Sequence, residues 1–235
     1  MLDPLKAALP PIGMGQLPSP EEAKALLAKV HATAPERAAQ PSAARTDIGI
    51  PTRFADADLD AWPVSSQAQA HVLRVAKRFA GNFAEAQRLG SSLVFRGGVG
   101  TGKTTLACAI LRAVHAAGRS ARYTRLGSYF RKMREAFGGE GKPASTIEAA
   151  FARVDLLVLD EVGVQYGSKA ELVMLTELID ERYGARRPTI VVSNLGGAAL
   201  IDMVGERAAD RLAHCGVDLL FDWPSFRRKP SEPAT

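Results

Sequence analysis

The stretch Phe95–Arg96–Gly97–Gly98–Val99–Gly100–Thr101–Gly102–Lys103–Thr104–Thr105 restricts this chain more than any other. It fits G-x-x-x-x-G-K-[ST], the pattern of a loop that wraps phosphate groups. Apolar Leu93 and Val94 lead into it as a strand would, and 106–117 behind it repeats apolar residues at helical spacing. Strand, glycine loop and helix are the context such a loop needs. Its glycines let backbone N–H groups converge on phosphate oxygens, and the start of the helix adds a favourable field. The pattern therefore assigns Gly97, Gly98, Val99, Gly100, Thr101, Gly102, Lys103, Thr104 and Thr105 to a nucleotide. Lys103 is expected on the β- and γ-phosphates and Thr104 on Mg2+.

With 235 residues, 46% of them hydrophobic, the chain can build one substantial domain plus an appendage. No charge-free run reaches the length of a membrane span and no leader pattern is present. Cys108 and Cys215 both lie in apolar settings, which reads as core filling rather than a bridge or a metal site. These features together suggest a cytoplasmic protein with no membrane partner. The net charge of +5 permits nucleic-acid binding without requiring it.

Residues 1–49 differ from the rest. Prolines at 4, 10, 11, 18, 20, 35 and 41 alternate with alanines, a composition that builds no core. One helix signal stands out, over about 20–33. Ser19 caps, Pro20 takes the first helical position and Glu22 completes a capping box. Ala23, Leu26, Leu27 and Val30 then share a face, which can dock on a partner or on the chain's own body. Residues 36–50 read as a linker, 50–229 as the main domain and 230–235 as a disordered tail.

Within the main domain the pattern gives helices over 67–83, 128–137, 147–152, 169–183, 198–203 and 205–213. Strands are expected over 93–95, 121–125, 154–159, 189–193 and 217–222. The runs at 154–159 and 189–193 are apolar without alternation, as in strands buried on both faces. Alternating strands and helices imply a parallel sheet covered on both sides, with the ligand beyond the carboxyl ends of the strands.

Those ends carry the chemistry. Leu156–Leu157–Val158–Leu159–Asp160–Glu161 is an apolar strand ending in two carboxylates. One acid for the metal (Asp160) and one to orient water (Glu161) is the minimum for hydrolysing a γ-phosphate. Asn194, ending the next strand, can sense that phosphate through its amide. Arg207 and Arg211 lie four apart on one helical face, and an arginine supplied across a subunit boundary stabilises phosphoryl transfer. Arg211 is the first choice for this finger and Arg207 the reserve. Arg227, after the last strand, can reach the phosphates of its own subunit.

These segments, with Leu156–Glu161 running on through Val162–Gly163–Val164–Gln165, and with Arg187–Pro188–Thr189, Gly205–Leu212 and Phe221–Arg227, resemble the DnaC-type replicative helicase loaders, an AAA+ ATPase family. The resemblance covers residues 50–229. It implies an AAA+ phosphate-loop core, with a five-stranded parallel sheet, helices on both faces and no C-terminal helical lid. ATP and Mg2+ are the implied cofactors. The implied partners are a hexameric DnaB-type replicative helicase gripped by the N-terminal arm, single-stranded DNA, and neighbouring ATPase domains in a spiral. Within that pattern Asn194 is the first sensor, Arg211 the finger and Arg227 the second sensor. Family DNA contacts fall on Arg134, Phe137 and Ser168, with Lys169 a weaker phosphate candidate. Phe137 could equally close a helix as a core residue.

The sequence also departs from that pattern. Ala170 stands where an aromatic DNA contact is expected, Val99 replaces a proline in the loop, and no four-cysteine zinc module precedes the domain. Without a lid, hydrolysis by an isolated monomer is expected to be slow. Two rivals share the residues: an IstB-like transposition helper that binds duplex DNA and a transposase, and a nucleotide-gated scaffold with little turnover.

Overall fold

The computed structural model describes residues 48–138, 142–164 and 168–227. The proposed helix at 20–33, Gln165 and the tail at 230–235 lie outside the described residues. The described chain forms α1 (Gln67–Gly81), α2 (Phe83–Leu89), β1 (Ser92–Gly97), α3 (Lys103–Ala116), β2 (Ala121–Arg125), α4 (Leu126–Phe137) and α5 (Ala144–Ala152). It continues as β3 (Leu156–Val162), α6 (Lys169–Gly184), β4 (Thr189–Ser193), α7 (Gly197–Val204), α8 (Glu206–Cys215) and β5 (Gly216–Phe221).

All five strands are parallel, in the order β2-β3-β4-β1-β5. Side chains alternate along each strand, so neighbouring residues enter opposite cores. Leu93 and Phe95 of β1 face the layer made by α1, α2 and α3, with Leu156 and Val158 of β3 and Ile190 and Val192 of β4. Val94, Leu157, Leu159 and Val191 face the other layer, α4 to α8. Burial on both faces explains why β3 and β4 read as unbroken apolar runs. No helix follows β5 among the described residues, and none of the described helices is long and apolar enough to cross a membrane.

The strands come out where expected, with shifted ends. The helix expected over 67–83 stops at Gly81, because Asn82 leaves helical geometry (φ −115, ψ 37), and a separate α2 begins at Phe83. The α5 helix begins at Ala144 directly after Pro143, rather than at Ile147. The β3 strand begins at Leu156 and runs through the acid pair to Val162. Cys108 is buried, as a core residue should be, and burial pushes its thiol up to about 12. Cys215 is only half-buried, with its sulfur 3.3 Å from His214 Nδ1.

One buried cation holds the far end of the sheet. Arg182 of α6 is 1% exposed, and among the described residues no carboxylate pairs with its guanidinium. Its NH1 donates to the carbonyls of Phe151, Ala152 and Val154 at 2.9, 3.0 and 2.9 Å, its NH2 to Pro188 O at 2.6 Å, and its Nε to Thr189 Oγ1 at 2.9 Å. Burial lowers its pKa to about 9, and the nearby Arg187 charge acts in the same direction. One side chain thus ties α5, the entry to β3 and the entry to β4.

Candidate nucleotide site

The loop between β1 and α3 edges a cleft of about 300 Å3 at the carboxyl ends of β1, β3 and β4. Val99 through Thr105, Asp160, Glu161, Asn194 and Arg227 line it, together with Arg53, Phe54, Val192, Ser193 and Phe226. Gly97 and Gly98 are not among its lining residues; their carbonyls accept from Lys103. Gly97 has φ 136, and a Cβ there would meet Phe221 O of the neighbouring strand at 2.4 Å, so only glycine fits.

Lys103 opens α3 and is 5% exposed. Its Nζ donates to the carbonyls of Gly97 and Gly98 at 2.7 and 2.6 Å. Burial lowers its pKa to about 8; the Asp160 carboxylate works against that shift and the Arg227 charge adds to it. Next to it, Thr104 Oγ1 donates to Asp160 Oδ2 at 3.0 Å. The same oxygen accepts from Tyr123 OH at 2.6 Å, and Oδ1 accepts from the Glu161 backbone N–H at 2.8 Å. Burial, and then this bond to Asp160, push the Tyr123 phenol well above its ordinary range. Tyr123 therefore stays a neutral donor that fixes the carboxylate.

A local break in β3 separates the two acids. Strict alternation would send Glu161 towards the α4–α8 core. Instead β3 has one more residue than β4 between the Leu159–Val191 and Val162–Ser193 pairs. That bulge re-aims the strand end. Glu161 takes a left-handed conformation (φ 58), which costs a non-glycine residue about 1 kcal/mol or more. Its side chain is left about half exposed, with Oε1 3.4 Å from Arg125 Nε. Ser193 Oγ donates to Val162 O at 2.6 Å and accepts from the Leu195 N–H at 3.1 Å, so the turn that carries exposed Asn194 is anchored to the bulged strand.

Arg207 and Arg211 do not line this cleft. Asp180 of α6 bridges them, with Oδ2 2.7 Å from Arg207 and Oδ1 2.7 Å from Arg211 Nε. The second contact is one of charge, not aligned as a hydrogen bond. Arg211 also lies over the Tyr183 ring and is 22% exposed, whereas Arg207 is 67% exposed.

None of the DNA candidates lines the cleft. Arg134 of α4 pairs with Glu171 of α6 at 2.7 Å. Ser168 caps α6: its Oγ accepts from the Glu171 N–H, and Glu171 returns a bond to the Ser168 N–H. Lys169 is the first residue of α6 and is exposed. Phe137 ends α4 and is 67% exposed, so it closes no core.

No sequence signal singled out Tyr123, Arg125, Arg53, Phe54 or Trp62 as site residues. Tyr123 had only its place on the same face of β2 as the buried side of that strand. Its meeting with Asp160 needed the register of β2 on β3, which pairs Arg125 with Asp160. Arg53 and Phe54 sit on a single 3-10 turn (Thr52–Phe54) and Trp62 on the irregular chain after it, all too short to show periodicity.

Comparison with known proteins was consistent with this geometry. The family model described as IstB-like ATP binding protein matches residues 55–233. The "Replicative helicase loader DnaC" of Escherichia coli (strain K12) is 30% identical over 187 residues, covering 77% of this chain and 73% of that protein. Among solved structures, the DnaC helicase loader superposes with a TM-score of 0.66 at 23% identity, over 72% of this chain and 99% of that one. The DnaI structure gives 0.65 at 19% identity, over 74% and 95%.

Proposed function

The chain belongs to the DnaC/DnaI/IstB family of AAA+ ATPases, and from that premise we propose that it is an ATP-dependent loader of a hexameric, DnaB-type replicative helicase onto single-stranded DNA. The observation that carries the ATPase half is the contact of Thr104 with Asp160 beside buried Lys103: two hard oxygens and a cation at one cleft. Among the described residues no group of three or more His, Cys, Asp or Glu could hold a metal alone. Two protein oxygens nonetheless suit Mg2+, which keeps several waters and takes phosphate oxygens as its remaining ligands. Thr104 and Asp160 would hold it, and it would supply positive charge against the β- and γ-phosphates.

The chain's own groups do the rest. The loop's N–H groups take phosphate oxygens, and Lys103 exchanges two neutral carbonyls for charged acceptors. Glu161 orients a water and draws its proton, and Asn194 bonds the γ-phosphate or that water. Arg227 reaches the phosphates in cis. Arg211, or the more exposed Arg207, completes a neighbour's site in trans. The surface of Arg134, Phe137, Ser168 and Lys169 takes single-stranded DNA, where an exposed ring offers stacking and the cations meet phosphate. The DnaC name supports the loader reading; the IstB description supports a transposition helper as the second reading.

The test is co-purification. With Mg-ATP, the full chain is expected to retain the replicative helicase and a single-stranded oligonucleotide. The chain lacking residues 1–49 is expected to keep ATP and lose the helicase. Equal retention by both forms ends the arm reading, capture of a transposase instead ends the loader reading, and loss of the oligonucleotide from both removes the α4–α6 surface from the account.

Lys103 gives a pH signature. Its pKa of about 8 lies below that of a free lysine, so the cation that phosphate needs is lost as pH rises through about 8. Mg-ATP affinity should fall by about tenfold between pH 7 and pH 9. Stability of the free protein moves the other way: between about 8 and the ordinary lysine range the unfolded chain holds the proton and the folded one does not, so this group favours folding as pH rises. Calorimetric titration and thermal unfolding over pH 7–9 check both signs. An affinity flat with pH shows that Lys103 keeps its proton over this range in the free protein.

A further inference from the structure

The phosphate loop is held from behind. The carbonyl of Gly100 accepts from the Phe226 backbone N–H at 2.9 Å, whereas those of Gly97 and Gly98 turn to the cleft-lining Lys103. Thr101 O accepts from the Trp223 indole at 3.0 Å. Gly102 O accepts from the Leu106 N–H at 2.9 Å and from the Trp62 indole at 3.3 Å. A carbonyl aimed at a phosphate repels it, whereas one drawn outward leaves the N–H side of the same peptides for the anion.

We propose that Trp62 and Trp223 are positioning residues for the phosphate grip: their indole N–H groups draw the Gly102 and Thr101 carbonyls outward, so that the loop turns its N–H face to the triphosphate. This rests on the ATP reading above. Trp62 comes from 40 residues before Gly102 and is 4% exposed. It meets Phe221, Trp223 and Phe226 edge-on, with centroids 6.3, 6.0 and 5.9 Å away. The bracket touches the loop itself. A Cβ on Gly100 would lie 2.0 Å from Ser225 Oγ, and one on Gly102 2.8 Å from the Phe226 ring and 3.0 Å from Trp62 Nε1. The same segment carries Arg227 into the cleft, so one aromatic cluster sets both the loop and that arginine. A phenylalanine at either position would fill the space without the donor. Two indoles directed at consecutive carbonyls of this loop therefore serve more than packing.

Trp223→Phe keeps a ring and deletes the N–H. It is expected to weaken Mg-ATP and base-free tripolyphosphate alike, by about three- to tenfold, as the loss of one hydrogen bond implies. Adenosine binding and the unfolding temperature should stay near those of the parent. Unchanged ATP affinity, or an equal loss for adenosine, overturns the proposal. Wild-type protein that takes up no Mg-ATP overturns the nucleotide reading itself and the proposal with it. Trp62→Phe is the parallel variant, and if that buried site fails to fold, half-buried Trp223 carries the test. A second readout needs no variant. These are the chain's 2 tryptophans, so tripolyphosphate should change its indole emission. Unchanged emission while calorimetry registers binding also overturns the proposal.

Discussion

Glu161→Gln is expected to bind Mg-ATP within about twofold of the parent and to lose about 100-fold or more of its turnover, the usual weight of a general base. The substitution keeps the size and hydrogen-bonding reach of the side chain but cannot take a proton. The backbone that aims it is set by the β3 bulge and the bond from the Glu161 N–H to Asp160 Oδ1, neither of which involves the carboxylate. The metal-side contact of Thr104 with Asp160 is likewise untouched. Binding and hydrolysis should therefore separate cleanly. Steady-state turnover beside nucleotide titration is the check, and unchanged turnover refutes the role given to Glu161. A parent that binds ATP but does not turn it over, alone or with partner and DNA, would favour the gated-scaffold reading instead.

Arg182→Met is expected to lower stability by about 3–5 kcal/mol, the cost of several buried acceptors losing their donor at once, less what local relaxation recovers. Methionine matches the stem of the side chain but leaves the carbonyls of Phe151, Ala152, Val154 and Pro188 without their donor in a region closed to water. Each buried acceptor without a partner costs about 1–3 kcal/mol, partly relieved by local relaxation. Against a total stability of about 5–15 kcal/mol for a domain, that is a large fraction. A denaturant midpoint little changed from the parent would show that these carbonyls find other donors. Because Arg182 sits at the entry ends of β3 and β4, away from the cleft, nucleotide affinity of the folded fraction should persist.

Much of this protein could be read before any coordinates. The glycine loop, the apolar strands and the acid pair are local patterns, and each is set by the residues beside it in the chain. Other features misled or were silent for a physical reason. The helix breaks just after Gly81, but the apolar spacing runs on into Phe83, so periodicity masked the stop. Phe137 continues the apolar spacing of α4, yet it lies on the last turn beyond the layer that covers Tyr129, Phe130 and Met133. Ser168 matched a DNA-contact position by resemblance. Its hydroxyl also caps α6, as the Ser-x-x-Glu spacing allows.

The sequence by itself determined that a phosphate loop sits between a strand and a helix, that parallel strands alternate with helices, and that two carboxylates end one of them. Only the tertiary structure decided what those groups touch: Tyr123 on Asp160, Arg125 beside Glu161, two indoles behind the loop, and Arg182 among carbonyls from three segments. Local propensity acts over a few residues. These contacts depend on the register between strands distant in sequence and on a one-residue bulge, which arise only when the two cores close on the sheet together.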